Sequence, residues 1–422
     1  MNSNSRKDIF YQVLYFLCIA VSFINNYELA FSVWIITVLL TLQRSYSVTF
    51  FKYIACFTAI VLIAFISGLF RDPNIYNAIR DLTYLLKPIV GIFAGYQLCK
   101  INPQKALKTL IYTGAIISLI HLIIIINTIV QFGTFDVNQI RMFSGYFSDY
   151  EVYILVILIY SKKFELKIER KRIIILLVLV GLSSFLYLAR TNFIQFFILI
   201  IGMEGYYAIT KKSIVALSTI VISLLFTYSA ILYINPKRNG KGLETLLYKI
   251  KIAPIEPFKT RINKDDWKDF NDNYRSYENI IAVKQVSNKG LGAVLFGEGL
   301  GATLDLGREV WSNDGEFVRY IPIVHNGYMT VFLKSGVLGV FFLLLFIVIL
   351  YRQQKSNDPL IKQINYLLIG TSIFLVLSNW VFLGLYLKLD NKSIIIGYLL
   401  ALKYIIHKEN LRRNNEQKNC LV

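Results

Sequence analysis

Three side chains stand where solution chemistry could meet an apolar scaffold: Arg190, Arg275 and His325. His325 opens the run His325-Asn326-Gly327-Tyr328, directly after a long polar segment and directly before an apolar stretch that reaches Leu350. An imidazole at such a boundary is readily solvated and can accept a proton near neutral pH, whereas deeper in a bilayer it needs a dedicated partner. Pro322 restricts the backbone ahead of it and Asn326-Gly327 favours a bend, so a helix is predicted only from Tyr328. Arg190 separates two apolar runs by itself. Desolvating a guanidinium is costly, which calls for an anion beside it, either an acidic side chain or a phosphate. Arg275 falls on a predicted amphipathic helix over 273–287, in which Tyr274, Tyr277, Ile281 and Lys284 share a face and Arg275 lies beside Glu278 at i,i+3.

Further cations accompany this set. Arg80 and Lys87 lie at the start of an apolar run, Arg141 lies in a polar link, and Lys334 follows His325 within the next apolar run, where it either reaches the interface or pairs inside the bundle. The stretch Gly290-Leu-Gly-Ala-Val-Leu-Phe-Gly-Glu-Gly-Leu-Gly301 permits tight turns and could present amides to an anion. No Lys-Ser/Thr follows it and no strand precedes it, so it is neither a P-loop nor a dinucleotide fingerprint, and a plain turn is the simpler reading. Asp265, Asp266 and Asp269 form a solvated charge cluster, and no metal site is expected. Cys18, Cys56, Cys99 and Cys420 have neither disulfide nor metal-site spacing.

The elements that must position these residues are membrane-length segments. Of the 422 residues 55% are hydrophobic and only 17% charged, the signature of a polytopic membrane protein. The net charge of +19 does not point to nucleic acid, because most of the basic residues sit in short links between apolar runs. We expect an all-α bundle of about twelve spans, at roughly 9–23, 29–43, 52–70, 82–98, 107–130, 150–160, 173–189, 192–209, 213–234, 325–350, 363–386 and 393–406. Lys162, Lys163, Lys167, Arg170, Lys171 and Arg172 form the strongest basic cluster and set that link in the cytoplasm, with both termini on the same side. The whole chain, 1–422, is then one integral membrane domain, and residues 235–322, between the ninth and tenth spans, form one large external segment that acts as a lid. Lys211 and Lys212 before it and Arg352 and Lys355 after it independently favour that side.

The order of these features resembles the O-antigen polymerase and O-antigen ligase superfamily. The resemblance runs from about 141 to 350: Arg141-Met-Phe-Ser-Gly-Tyr-Phe147, Arg190-Thr191, an arginine-bearing helix leading to Phe296-Gly-Glu-Gly-Leu-Gly301, then His325-Asn326-Gly327-Tyr328 and Lys334-Ser-Gly-Val-Leu-Gly339. The histidine element and its downstream glycines are the most specific part. Ala189 stands where the family usually has a serine before the arginine, and Ser148-Asp149-Tyr150 where many relatives have Pro-Asn.

That resemblance implies a metal-independent glycosyltransferase of the bacterial cytoplasmic membrane, acting at its outer face without a cofactor on a glycan carried by undecaprenyl diphosphate. It implies that His325 is the loop histidine, Arg275 the arginine before the glycine-rich turn and Arg190 the arginine at the head of its span. Arg80, Lys87, Arg141, Tyr274, Gly299, Asn326 and Lys334 are the expected substrate contacts. The residue chemistry agrees: displacing a diphosphate from a sugar C1 needs cations at the leaving group and help in deprotonating the acceptor hydroxyl. Chain polymerisation onto a carrier-linked repeat unit is the leading expectation. A ligase passing the glycan to a lipid A-core or other terminal acceptor is the alternative, and a flippase or transporter a further one. The expected partners are membrane lipids, the carrier-linked glycan, a glycan or lipid acceptor, and a chain-length regulator and flippase of the same pathway.

Overall fold

The computed structural model describes residues 3–71, 74–133, 137–208, 210–238, 243–252, 254, 256, 259–263, 265–311 and 316–419. The first half holds α1 (Ser3–Ala20), α2 (Tyr27–Leu40), α3 (Val48–Leu69), α4 (Ile75–Ile101), α5 (Ala106–Phe132), α6 (Val137–Ser144), α7 (Asp149–Ile159), α8 (Arg170–Leu186) and α9 (Arg190–Met203). Then come α10 (Lys211–Ile234) and four short helices, α11 (Leu243–Ile252), α12 (Trp267–Asp272), α13 (Tyr274–Asn288) and α14 (Leu291–Phe296). A hairpin of β1 (Leu304–Trp311) and β2 (Phe317–Ile321) precedes α15 (Gly327–Tyr351), α16 (Pro359–Val381) and α17 (Lys392–Asn419).

Among the described residues, seven helical segments are long and apolar enough to cross a membrane: Lys7–Ile24, Val48–Leu69, Ile75–Ile101, Pro103–Phe132, Lys211–Ile234, Gly327–Tyr351 and Pro359–Val381. The other five expected spans correspond to α2, α7, α8, α9 and α17. At a rise of about 1.5 Å per residue, the 11 residues of α7 extend only about 17 Å, short of a hydrocarbon core of about 30 Å. α17 is long, but its C-terminal half carries a charged sequence.

The bundle closes where glycines let backbones meet. α4 lies against α17 with a Cβ on Gly95 falling 2.0 Å from the Ile394 carbonyl oxygen, and one on Gly397 2.0 Å from that of Ile92. Only glycine fits at these two crossings. Buried polar ties fix neighbouring helices. Lys392 of α17 reaches Asp149 of α7 at 2.6 Å and Asp390 at 2.7 Å. Glu151 of α7 accepts from Ser118 of α5 at 2.9 Å and from Tyr187 at 3.1 Å, while His121 stacks on the Tyr187 ring at 3.7 Å and its Nδ1 lies 2.8 Å from Ser183 Oγ. These groups tie α5, α7 and α8 together.

The segment between α10 and α15 has a core of its own. Phe270, Tyr277, Ala282, Val286, Ala293, Leu304, Leu306 and Val324 cluster and pack on Phe332 and Leu333 of α15. Two features depart from the all-α expectation. β1 and β2 pair antiparallel with Leu304 opposite Ile321 and Trp311 opposite Phe317, and the register shifts between Asp305 and Val310. α15 is broken at Gly336, whose φ of 65° is left-handed. The break seats the glycine-rich turn: a Cβ on Gly336 would lie 2.4 Å from Leu295 backbone, and one on Gly297 2.4 Å from Lys334 backbone.

Candidate functional site: a cationic cleft beside a paired histidine

The cleft is built on three helix ends and one helix face. α13 forms as expected, but its buried stripe is Tyr277, Glu278, Ala282 and Val286, with Ile281 half-buried and Lys284 exposed. A carboxylate on a buried stripe requires a partner, and His325 supplies it. The His325 backbone N–H donates to Glu278 Oε2 at 2.9 Å, and His325 Nδ1 lies 2.9 Å from Glu278 Oε1. Glu278 is fully buried while the His325 side chain is 52% exposed. A carboxylate at Nδ1 selects the tautomer with its proton there, which leaves Nε2 as an open acceptor toward solvent.

The chain around the histidine is held from both sides. Asn326 caps α15, its Oδ1 accepting from the amides of Tyr328 at 2.9 Å and Met329 at 3.2 Å, and the Gly327 amide donates to the Phe382 carbonyl at 2.9 Å. Thr330 Oγ1 donates to the Val324 carbonyl at 2.9 Å. The bend expected at Asn326-Gly327 is therefore a helix cap pinned to the end of α16. Tyr274 stands edge-on to the imidazole, ring centres 5.9 Å apart. Burial and the Glu278 carboxylate push the Tyr274 hydroxyl above its usual range, so it remains a donor.

Arg275 occupies the same face of α13 one turn before Glu278. Its guanidinium lies over the Phe382 ring, 5.1 Å from the centre, and 3.8 Å from Glu256 Oε1. Arg190, the first residue of α9, shares this electrostatic environment with Glu256, Arg275 and Arg141. Ala189 at the N-cap offers no side-chain cap to α9, and its carbonyl accepts from the Asn192 amide at 3.0 Å. Arg141 at the end of α6 donates to the Tyr146 carbonyl at 3.2 Å and lies over the Tyr146 ring at 5.6 Å. Arg275 and Arg190 thus both act on the Glu256 carboxylate, while Arg141 acts on Arg190. Burial raises the Glu256 carboxyl above its usual range although Arg275 and Arg190 pull it down.

The remaining expected contacts lie elsewhere: Lys334 and Lys87 have structural partners, whereas Arg80 has a ring contact and leaves Nε and Nη2 buried without a hydrogen-bond partner among the described residues. Lys334 is buried and pairs with Asp81, also donating to the Ala302 carbonyl. Lys87 is buried, donating to the carbonyls of Leu387 at 2.8 Å and Lys388 at 2.6 Å between the rings of Tyr27 and Trp34. Arg80 rests over the Tyr76 ring at 5.7 Å, on α4 next to Asp81. Gly299 lies in a turn docked on α3 and α15, and the amides of 297–301 all donate within the protein. Gly297 donates to Ala293, Glu298 to Leu333, Gly299 to Lys334 and Leu300 to Ala64, all on carbonyls, and Gly301 donates to Asp81 Oδ2 at 2.7 Å. The acidic cluster is likewise committed: Asp266 caps α12, and Asp269 pairs with Lys259 and accepts from the Asn263 amide.

Sequence reasoning placed Glu278 only as an intrahelical neighbour of Arg275, and did not weigh Glu256 or Phe382. An unexplained carboxylate on the apolar stripe of an amphipathic helix was the available signal for Glu278. No protein-family model matches the chain, and no curated protein matches it.

Proposed function

We propose that the protein is an integral membrane glycosyltransferase that polymerises glycan repeat units carried on undecaprenyl diphosphate, working at the outer face of the bacterial cytoplasmic membrane. The observation that carries this reading is a group of three arginines, Arg190, Arg275 and Arg141, near an exposed, carboxylate-oriented imidazole at one end of a membrane bundle. In this reading all twelve apolar runs lie in or at the membrane, both termini and the 162–172 link are cytoplasmic, and residues 235–322 cover the outer face. The basic residues of the short links favour that orientation.

The reaction follows from the groups present. The donor diphosphate lies against Arg190, Arg275 and Arg141, whose planar forks contact several phosphate oxygens at once. An acceptor hydroxyl approaches His325 Nε2 and gives up its proton as its oxygen attacks the donor sugar C1. The C1–O bond to the diphosphate breaks, and the electron pair leaves on the carrier diphosphate, where the arginines stabilise it. Glu278 stabilises the imidazolium that forms and holds the ring in place. Glu256, the anion resident in the cleft, gives way to the more highly charged diphosphate. The test is purified protein with carrier-linked repeat units, alone and with a terminal acceptor. A ladder of lengthening carrier-linked glycan supports polymerisation. A single product on the terminal acceptor, with no ladder, replaces it with ligation.

A further inference from the structure

A second recess opens at the other end of α13. It has a volume of about 560 Å³ and lies between the α3–α4 link, α13, the glycine-rich turn and the β-hairpin. That is far more than the ~30 Å³ of one water and within the ~300–1,000 Å³ typical of small-molecule sites. Its three cations share two carboxylates. Glu298, buried, is 2.5 Å from Lys289 and 3.8 Å from Arg71, and Asp305 is held by Arg319 through two bonds of 2.7 and 2.9 Å. Gln285 fixes this floor, donating to Glu298 at 3.0 Å and to the Thr303 carbonyl at 2.9 Å while accepting from the Asp305 amide at 2.9 Å. Around it stand Asn74, Asn77 and the exposed ring of Tyr320, one face of which carries the Arg319 guanidinium 5.5 Å from its centre.

A site whose cations are already engaged by carboxylates, with side-chain amides that donate and accept beside carboxylates that accept, and with one aromatic ring, suits a ligand covered in hydroxyls with an apolar C–H face. It does not suit a diphosphate. Gln285 follows Glu278 by seven residues, two turns along the same helix, which sets the recess about 10 Å from the His325 partner. We propose that this recess binds the sugar residues of the acceptor glycan, so that a short oligosaccharide seated there extends its terminal hydroxyl to His325. The inference rests on the transferase reading for the word acceptor, but the saccharide site itself is tested independently of transfer.

The probe is the free oligosaccharide mixture released by mild acid from the lipid-linked pool of the producing cells, with inorganic pyrophosphate as the contrast. Binding of each to the full-length protein in detergent is measured for the native chain, Tyr320→Ala, Asn77→Trp and Arg275→Ala. Tyr320→Ala removes the stacking face from an exposed position, and Asn77→Trp fills the recess. Both should weaken saccharide binding, Tyr320→Ala by about 2- to 13-fold for the loss of one aromatic stack, and leave pyrophosphate binding unchanged. Arg275→Ala should do the reverse. Saccharide binding that ignores both recess variants, competition between saccharide and pyrophosphate, or no saccharide binding to the native chain would each overturn the assignment. Saccharide binding that responds to both variants, from a protein that transfers nothing, keeps the recess as a glycan site and removes the transferase reading instead.

Discussion

The two ends of α13 place their charged groups differently. At its first turn Arg275 lies 3.8 Å from Glu256 and over the Phe382 ring, and Arg190 shares the field of Glu256, Arg275 and Arg141. At its last turn three cations share two carboxylates at short range: Lys289 and Arg71 meet Glu298, and Arg319 meets Asp305. In the proposed reading, one short helix separates a place for a leaving diphosphate from a place for a glycan, with the histidine near the first and within reach of the second.

The sharpest way to break that comparison is at the histidine. His325→Ala should lower the transfer rate by about 10²–10⁴-fold, the range for lost general-base assistance, with pyrophosphate affinity nearly unchanged. His325→Gln keeps size and some hydrogen bonding but should fail similarly, and Glu278→Gln should fall in between. A Gln variant close to native rate would reduce His325 to a brace for the loop.

Next in size are the arginines. Arg190→Lys and Arg275→Lys preserve charge but lose the fork of planar donors. Each should cost about 2–4 kcal/mol of transition-state stabilisation, roughly 30- to 1000-fold in rate. Near-normal rates at normal membrane abundance would make them simple anchors of helix ends.

The smallest expected effect concerns the resident anion. Glu256→Gln removes a partly exposed competitor worth about 0.2–1 kcal/mol and should tighten pyrophosphate binding about 1.5- to 5-fold. The sign of the pH dependence follows from the raised Glu256 carboxyl. As pH falls, this group is neutralised before an ordinary glutamate would be, so the gap in affinity between the native chain and Glu256→Gln should close on mild acidification. A gap that widens would place Glu256 outside the cleft electrostatics.

Local features were legible in the sequence and distant partners were not. The α13 helix, the bend at Asn326-Gly327 and the turn at 297–301 follow from spacing and backbone preference alone, whereas the rest of the glycine-rich stretch, read as a turn, forms the short helix α14. Lys334 and Lys87 are different: the partner of the first, Asp81, is 253 positions away, and the carbonyls that hold the second are 300 and 301 away. In sequence such lysines look like surplus cations. Glu278 is masked in the same way, since its link to His325 spans 47 positions whereas Arg275 sits beside it. The break at Gly336 is invisible for another reason, because an apolar run reads as continuous helix unless the neighbour that requires the kink is known. The hairpin escaped because its alternation is interrupted by the register shift after Asp305.

The most direct test of bond cleavage at the cationic cleft is the fate of the carrier. Purified protein in proteoliposomes is given carrier-linked repeat units with the lipid and glycan separately labelled. The account predicts that free undecaprenyl diphosphate is released in step with glycan growth, one carrier for each unit added. It predicts that Arg275→Lys and His325→Gln slow both together. Carrier-linked glycan that crosses the bilayer intact, with no carrier diphosphate released, would contradict it and leave a flippase in its place.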